Sequence, residues 1–155
     1  RGNTYTPIGS PVPYAGSRRL QLFYARNAVG GSATITATFS AAVGNRWMAV
    51  AEFSGMDPIS PLVASAFNSS SGSSSSVPVN ATAAGQLLVG ATVNGAGGIA
   101  TVSGSSAHLL DTAPGASMGD AYGTTAAAGS SAITFGYAAS GPWASTVAAF
   151  RPAGT

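Results

Sequence analysis

Alternation of apolar and hydroxyl side chains constrains this chain more than any other feature. In Ala33-Thr34-Ile35-Thr36-Ala37-Thr38-Phe39, every second residue is apolar and those between are threonine. A period of two matches a pleated strand with one buried face, whereas an amphipathic helix repeats its apolar residues every three or four. Threonine suits the outer face, because branching at Cβ restricts χ1 while the hydroxyl stays solvated. Arg19 to Ala25 repeats the pattern, with Leu20, Leu22 and Tyr24 on one face. Trp47 to Phe53, Leu62 to Phe67, Gln86 to Val93, Ile99 to Val102, Ile133 to Ala138 and Trp143 to Phe150 read as further strands. Turn residues separate them at Gly30-Gly31, Gly44-Asn45, Asn94-Gly95 and Ser140-Gly141-Pro142. Strands at this spacing imply an all-β, antiparallel two-sheet β-sandwich of jelly-roll-like topology.

Composition closes off the alternatives. Charged residues are 6% of the chain and lysine is absent, while 21 Gly and 9 Pro interrupt helices, so a helical bundle is excluded. Disorder is disfavoured by an apolar fraction of 45% and a net charge of +2. The 155 residues suit a single domain, residues 1–155, with a core of its own. Six Lys+Arg positions, all arginine and scattered, do not form the stripe that neutralises a phosphate backbone, so no nucleic-acid partner is expected. No apolar run reaches the roughly 18 residues of a membrane span. Without cysteine there is no disulfide scaffold, thiolate metal site or cysteine nucleophile. A start at Arg1 rather than Met reads as a piece of a longer precursor.

Ser69 to Ser76, interrupted by Gly72, is a low-complexity run. It reads as a long surface loop inside one domain, with a linker between two domains as the alternative. A repeat also runs through the chain. Gly31 to Phe39 followed by Trp47 and Ala51-Glu52-Phe53 parallels Ser130 to Tyr137 followed by Trp143 and Ala148-Ala149-Phe150. If this is an internal duplication, the strand Leu87 to Ala91 leads the second half, and its counterpart in the first would precede Arg1.

Gly2-Asn3-Thr4-Tyr5-Thr6, Leu20 to Gly31, Ala51-Glu52-Phe53-Ser54-Gly55-Met56-Asp57 and Ser60-Pro61-Leu62 resemble a β-sandwich accessory module of bacterial secreted proteins. Such modules are similar in role to the carbohydrate-binding modules attached to polysaccharide-degrading enzymes. The resemblance implies the fold, a secreted, extracellular setting and an accessory role beside a parent multidomain enzyme. Its motifs are turns and strand faces, so it implies no binding residue.

Catalysis needs positioned acids, bases or nucleophiles. The chain offers four carboxylates and one histidine. A triad could be assembled on paper from His108, Asp111 or Asp120 and a serine, but no Gly-x-Ser-x-Gly elbow supports it. His108 reads more simply as a strand-end residue bonded to a loop. Glu52 and Asp57 are near in sequence, yet Glu52 belongs to a strand and Asp57 to a Met-Asp-Pro turn. No enzymatic function and no cofactor are expected. The Pro/Gly loop from Asp111 to Asp120 could wrap a structural calcium with backbone carbonyls, although solvated turn aspartates are the simpler reading.

Aromatic placement is more informative. A sugar ring presents an apolar C–H face that stacks on Trp or Tyr, leaving its hydroxyls for polar side chains. Glu52 is costly to bury unpaired, so its face of the strand should be the outer one, which makes Trp47 a core residue with a platform role as the alternative. Trp143 lies an odd number of residues before Phe150 and should point outward as a platform unless a bulge reverses it, with core or edge packing as the alternative. Tyr14, in the stiff Pro11-Val12-Pro13-Tyr14 loop, and Tyr122, beside Asp120, complete the candidate platform. Arg18 and Arg19 would supply hydrogen bonds. The expected function is a non-catalytic carbohydrate-binding module. It would hold a neutral plant polysaccharide, β-glucan or cellulose, and keep an attached glycoside hydrolase on its substrate. The alternative is a structural or adhesive surface module, or filament subunit, with no glycan ligand.

Overall fold

The computed structural model describes residues 2–31, 34–44, 46–110 and 117–154. Among them there is no helix, and the strands form two antiparallel sheets, one of two strands and one of six.

The smaller sheet is a hairpin of β1 (Thr6–Tyr14) and β2 (Arg18–Tyr24), closed by Ala15, Gly16 and Ser17. Its register slips between Ile8 and Val12. Pro11 cannot donate to the ladder, and Gly9 takes a φ of +64° that glycine adopts without strain. Gln21 Nε2 donates to the Ile8 carbonyl at 2.9 Å across the slip.

The larger sheet is built on a ribbon of two long strands, β3 (Leu62–Ala81) and β8 (Gly129–Phe150), paired along most of their length. Between them in the chain come β4 (Leu87–Asn94), β5 (Ile99–Ser103), β6 (His108–Leu109) and β7 (Met118–Thr124). The order is β3-β8-β4-β7-β6, and β5 pairs the first half of β8. The ribbon bends where its register breaks between Gly72 and Ser74, opposite Gly141 and Gly136. Gly141 is required there, since a Cβ would overlap the Ala96 Cβ and lie 3.0 Å from the Ala96 backbone nitrogen.

The bend folds the two halves of the ribbon onto a common core. Val77 and Val79 of β3 and Ile133, Phe135 and Tyr137 of β8 pack against Leu88, Ala121, Trp143, Val147 and Ala149. Side chains alternate along a strand, so the residues between face the other way. Ala148 and Phe150 meet Ile8, Leu22 and Tyr24 of the hairpin, and Ala144 meets Val12 and Leu20. Trp143 to Phe150 is therefore buried on both faces. Small residues at 144 and 148 let the hairpin lie close to β8.

Three expectations from the sequence are corrected. Ser69–Ser76 is no loop but the middle of β3. Ser75 is buried and its hydroxyl lies 2.6 Å from that of Ser145, while Thr134 donates to Ser76 at 2.9 Å. Most of the remaining serines face solvent along an edge strand, where hydroxyl side chains stay hydrated. Ser140-Gly141-Pro142 does not end a strand, because β8 runs through it. The described parts of 34–53 form no strand despite their periodicity, and of these residues Phe53 alone joins the buried clusters. The two copies of the sequence repeat thus adopt different structures; Ser32, Ala33 and Asn45 lie outside the described residues.

Candidate ligand-binding surface

Strand β7 carries Tyr122 on the side away from the ribbon core, between inward-facing Ala121 and Gly123. The short strand β6 sets His108 directly opposite, and the two rings lie 5.4 Å apart at 31°. Tyr122 also meets the Phe53 ring, at 5.7 Å and 55°. Tyr122 thus contacts two rings, with His108 exposed and Tyr122 and Phe53 half-buried.

Phe53 comes from outside the sheets, so its position depends on the chain that follows. Met56 bridges Pro152, the Asp57 N–H donates to Arg151 O at 3.0 Å, and Ala153 N–H donates to Gly55 O at 2.9 Å. The Asp57 carboxylate accepts from Ser60 N–H at 3.0 Å and Ile59 N–H at 2.8 Å, closing the Met-Asp-Pro turn. Those two N–H donors, with help from the Arg151 charge, hold its carboxyl below the ordinary carboxylate range. Asp57 is a turn residue, as its neighbours in sequence suggest, and its turn follows Phe53 by four residues.

The hairpin turn brings a second group together. Tyr14 pairs Arg18 across the ladder, and Pro13 pairs Arg19. The Tyr14 ring is half-buried against the cluster of Val12, Leu20, Val93 and Ala144. Arg19 donates through Nη1 to Arg18 O at 2.8 Å and Gly16 O at 3.2 Å, so its guanidinium braces the turn. Arg18 is exposed.

The tryptophans are placed opposite to the inward and outward assignment drawn from the Glu52 face, and Trp143 takes the core position read as its alternative. Trp143 is 6% exposed in the ribbon core, and its Nε1 is buried without an acceptor among the described residues. Trp47 is 63% exposed. The platform residues read from sequence therefore divide into Tyr14, Arg18 and Arg19 at the hairpin turn, Tyr122 in the ring cluster, Trp143 inside, and Trp47 on the unpaired segment. Sequence reasoning missed His108 and Phe53 as ring partners, because the β6–β7 register that opposes His108 to Tyr122 leaves no short-range signal.

His108 stacks on Tyr122 and makes no hydrogen bond to a described serine. Asp111 and most of the loop proposed for calcium lie outside the described residues. Among the described residues, no group of three or more His, Cys, Asp or Glu could hold a metal ion. A shallow depression beside Gly104, Ala127 and Thr134 is lined by small and hydroxyl side chains, with no ionisable group. The ring cluster can offer apolar contact through tilted faces, with an imidazole and a phenol that can hydrogen-bond hydroxyls. Compared with family models, curated proteins and solved structures, the chain finds no match.

Proposed function

We propose that this chain is a non-catalytic carbohydrate-binding module, secreted by a bacterium as an accessory domain of a larger polysaccharide-degrading protein. Its fold on this reading is a jelly-roll-like β-sandwich. The nested pairing of β3 with β8 and of β4 with β7 supports that topology. The ligand is a neutral plant polysaccharide, β-glucan or cellulose, stacked on the rings around Tyr122. The contact of Tyr122 with His108 at 5.4 Å and with Phe53 at 5.7 Å is the observation that carries the reading. A chain whose charged residues are 6% of the total suits a neutral polymer better than an anionic one. Tethering would then raise the effective concentration of an attached glycoside hydrolase at its substrate.

Retardation in a native gel containing β-glucan tests the proposal. Tyr122→Ala removes the central ring; losing about 80 Å² of ring contact costs about 2 kcal/mol, a roughly thirtyfold weaker Kd. Wild-type mobility unchanged by β-glucan, and no pull-down on cellulose, would overturn it.

A second reading, a structural or adhesive surface module or filament subunit without a glycan ligand, is favoured by one observation. Phe39, Val43, Trp47, Met48 and Val50 are exposed within a single stretch of chain. Soluble monomers seldom leave so dense an apolar run uncovered.

A further inference from the structure

Residues 46–52, Arg46-Trp47-Met48-Ala49-Val50-Ala51-Glu52, keep the alternation of a strand but belong to no ladder. Their backbone forms no hydrogen bond to other described residues. An extended chain with free N–H and C=O groups and apolar side chains is a template for sheet addition. Between Arg26 and Asp57, the sequence has two charged residues, Arg46 and Glu52, and they stand at the two ends of this segment. Both are exposed. Arg46 Nη1 bonds Val43 O at 3.0 Å, which leaves the rest of its guanidinium free, and Glu52 has no ion pair among the described residues.

The charge pattern selects the partner. Laid antiparallel against an identical strand, the segment has one register that sets Arg46 of each copy opposite Glu52 of the other. In that register Trp47 opposes Ala51, Met48 opposes Val50, and Ala49 meets itself on the two-fold axis. Each large side chain faces a smaller one, and every cross-strand pair is apolar or oppositely charged, the combinations that stabilise antiparallel ladders. Shifting by one residue sets Arg46 against Phe53 and Glu52 against Trp47. Parallel pairing in register sets like charge on like.

We infer that the chain forms a two-fold symmetric dimer through antiparallel pairing of residues 46–52 with the same segment of a second copy. The interface is isologous, so both ion pairs and all five apolar contacts arise from one strand. This deepens the structural reading above and rests on it for its use, while the glycan reading stands or falls separately.

Sedimentation equilibrium over a dilution series tests the pairing, with far-UV circular dichroism to show that each variant is folded. The wild type is expected to dimerise. Arg46→Glu and Glu52→Arg each place like charges across both ends and should weaken dimerisation about tenfold or more. Mixed together, the two variants restore opposite charges at both ends, and a one-to-one heterodimer should form with near wild-type affinity. A wild type that stays monomeric overturns the inference. So do single variants that dimerise as tightly as wild type, or a mixture no tighter than its components. Assembly that persists in both single variants would overturn this register yet leave the structural reading standing. A charge-dependent dimer that is also retarded by β-glucan would keep the pairing and remove the structural reading.

Discussion

Tyr137, Ser75, Ser145 and Thr92 come from distant stretches of chain, yet their oxygens lie 2.6 Å apart around a closed circuit. Each hydroxyl has one proton to give. If Tyr137 donates to Ser75, Ser75 to Ser145 and Ser145 to Thr92, the Thr92 proton is shared between the Tyr137 oxygen and the Ala144 carbonyl at 3.1 Å. The circuit joins the far half of the ribbon, through Ser75 and Tyr137, to β4 and the near half of β8. Tyr137→Phe keeps the ring's packing but opens the circuit, leaving buried Ser75 without its donor while Thr92 keeps the Ala144 carbonyl. The expected loss is about 1–3 kcal/mol in a urea titration, with an unchanged m-value. The two tryptophans show what can be read residue by residue. Counting from Phe150 correctly puts Trp143 on the opposite face. What a count cannot disclose is that both faces of that strand are covered, one by the folded-back ribbon and one by the hairpin. For Trp47 the count assumed a strand that does not form.

At the scale of the element, β8 is the decisive object. Its two halves are each legible as strands, as are β2, β4 and β5, because alternation and apolar runs are local properties of sequence. Its continuity is not legible, since Ser140-Gly141-Pro142 has the composition of a turn. The bend needs glycine for room rather than for a left-handed backbone: at Gly141 the first atom of any side chain meets Ala96, with Asn94 Oδ1 at 3.1 Å. Gly141→Ala should therefore cost about 1–3 kcal/mol through overpacking. Adding Ala96→Gly should recover part of that loss in a double-mutant cycle, whereas a purely conformational role for Gly141 predicts no recovery. β3 hid for the reason β8 misled. Eight residues rich in serine look like a linker by composition, but on an edge strand the hydroxyls can stay in water, while the buried Ser75 bonds Ser145. The ring cluster was legible at Tyr122 alone, because His108 reaches it across a ladder between β6 and β7.

Taken whole, the molecule distributes its packing unevenly, and that unevenness is measurable. Trp143 to Phe150 is buried on both sides and paired by β3 and β4 on both edges. Its amides can exchange with solvent only when the ribbon core and the hairpin both come apart, so their exchange should report global unfolding. The β1–β2 hairpin is a sheet of its own, held to the rest by apolar contacts of residues such as Ile8, Val12 and Leu20. It can lift away without breaking a ladder of the larger sheet, so its amides should exchange faster than those of β4 and β8. Residues 46–52 have no ladder to break in a single copy and should exchange almost as fast as an unfolded peptide at high dilution. Hydrogen exchange read by NMR should therefore sort the chain into three tiers, separated by orders of magnitude in rate. Raising protein concentration should slow exchange in 46–52 while leaving β8 unchanged, since sheet addition by a second copy protects the added strand alone. Slow exchange in 46–52 that does not vary with dilution would instead mean that this segment pairs within its own chain.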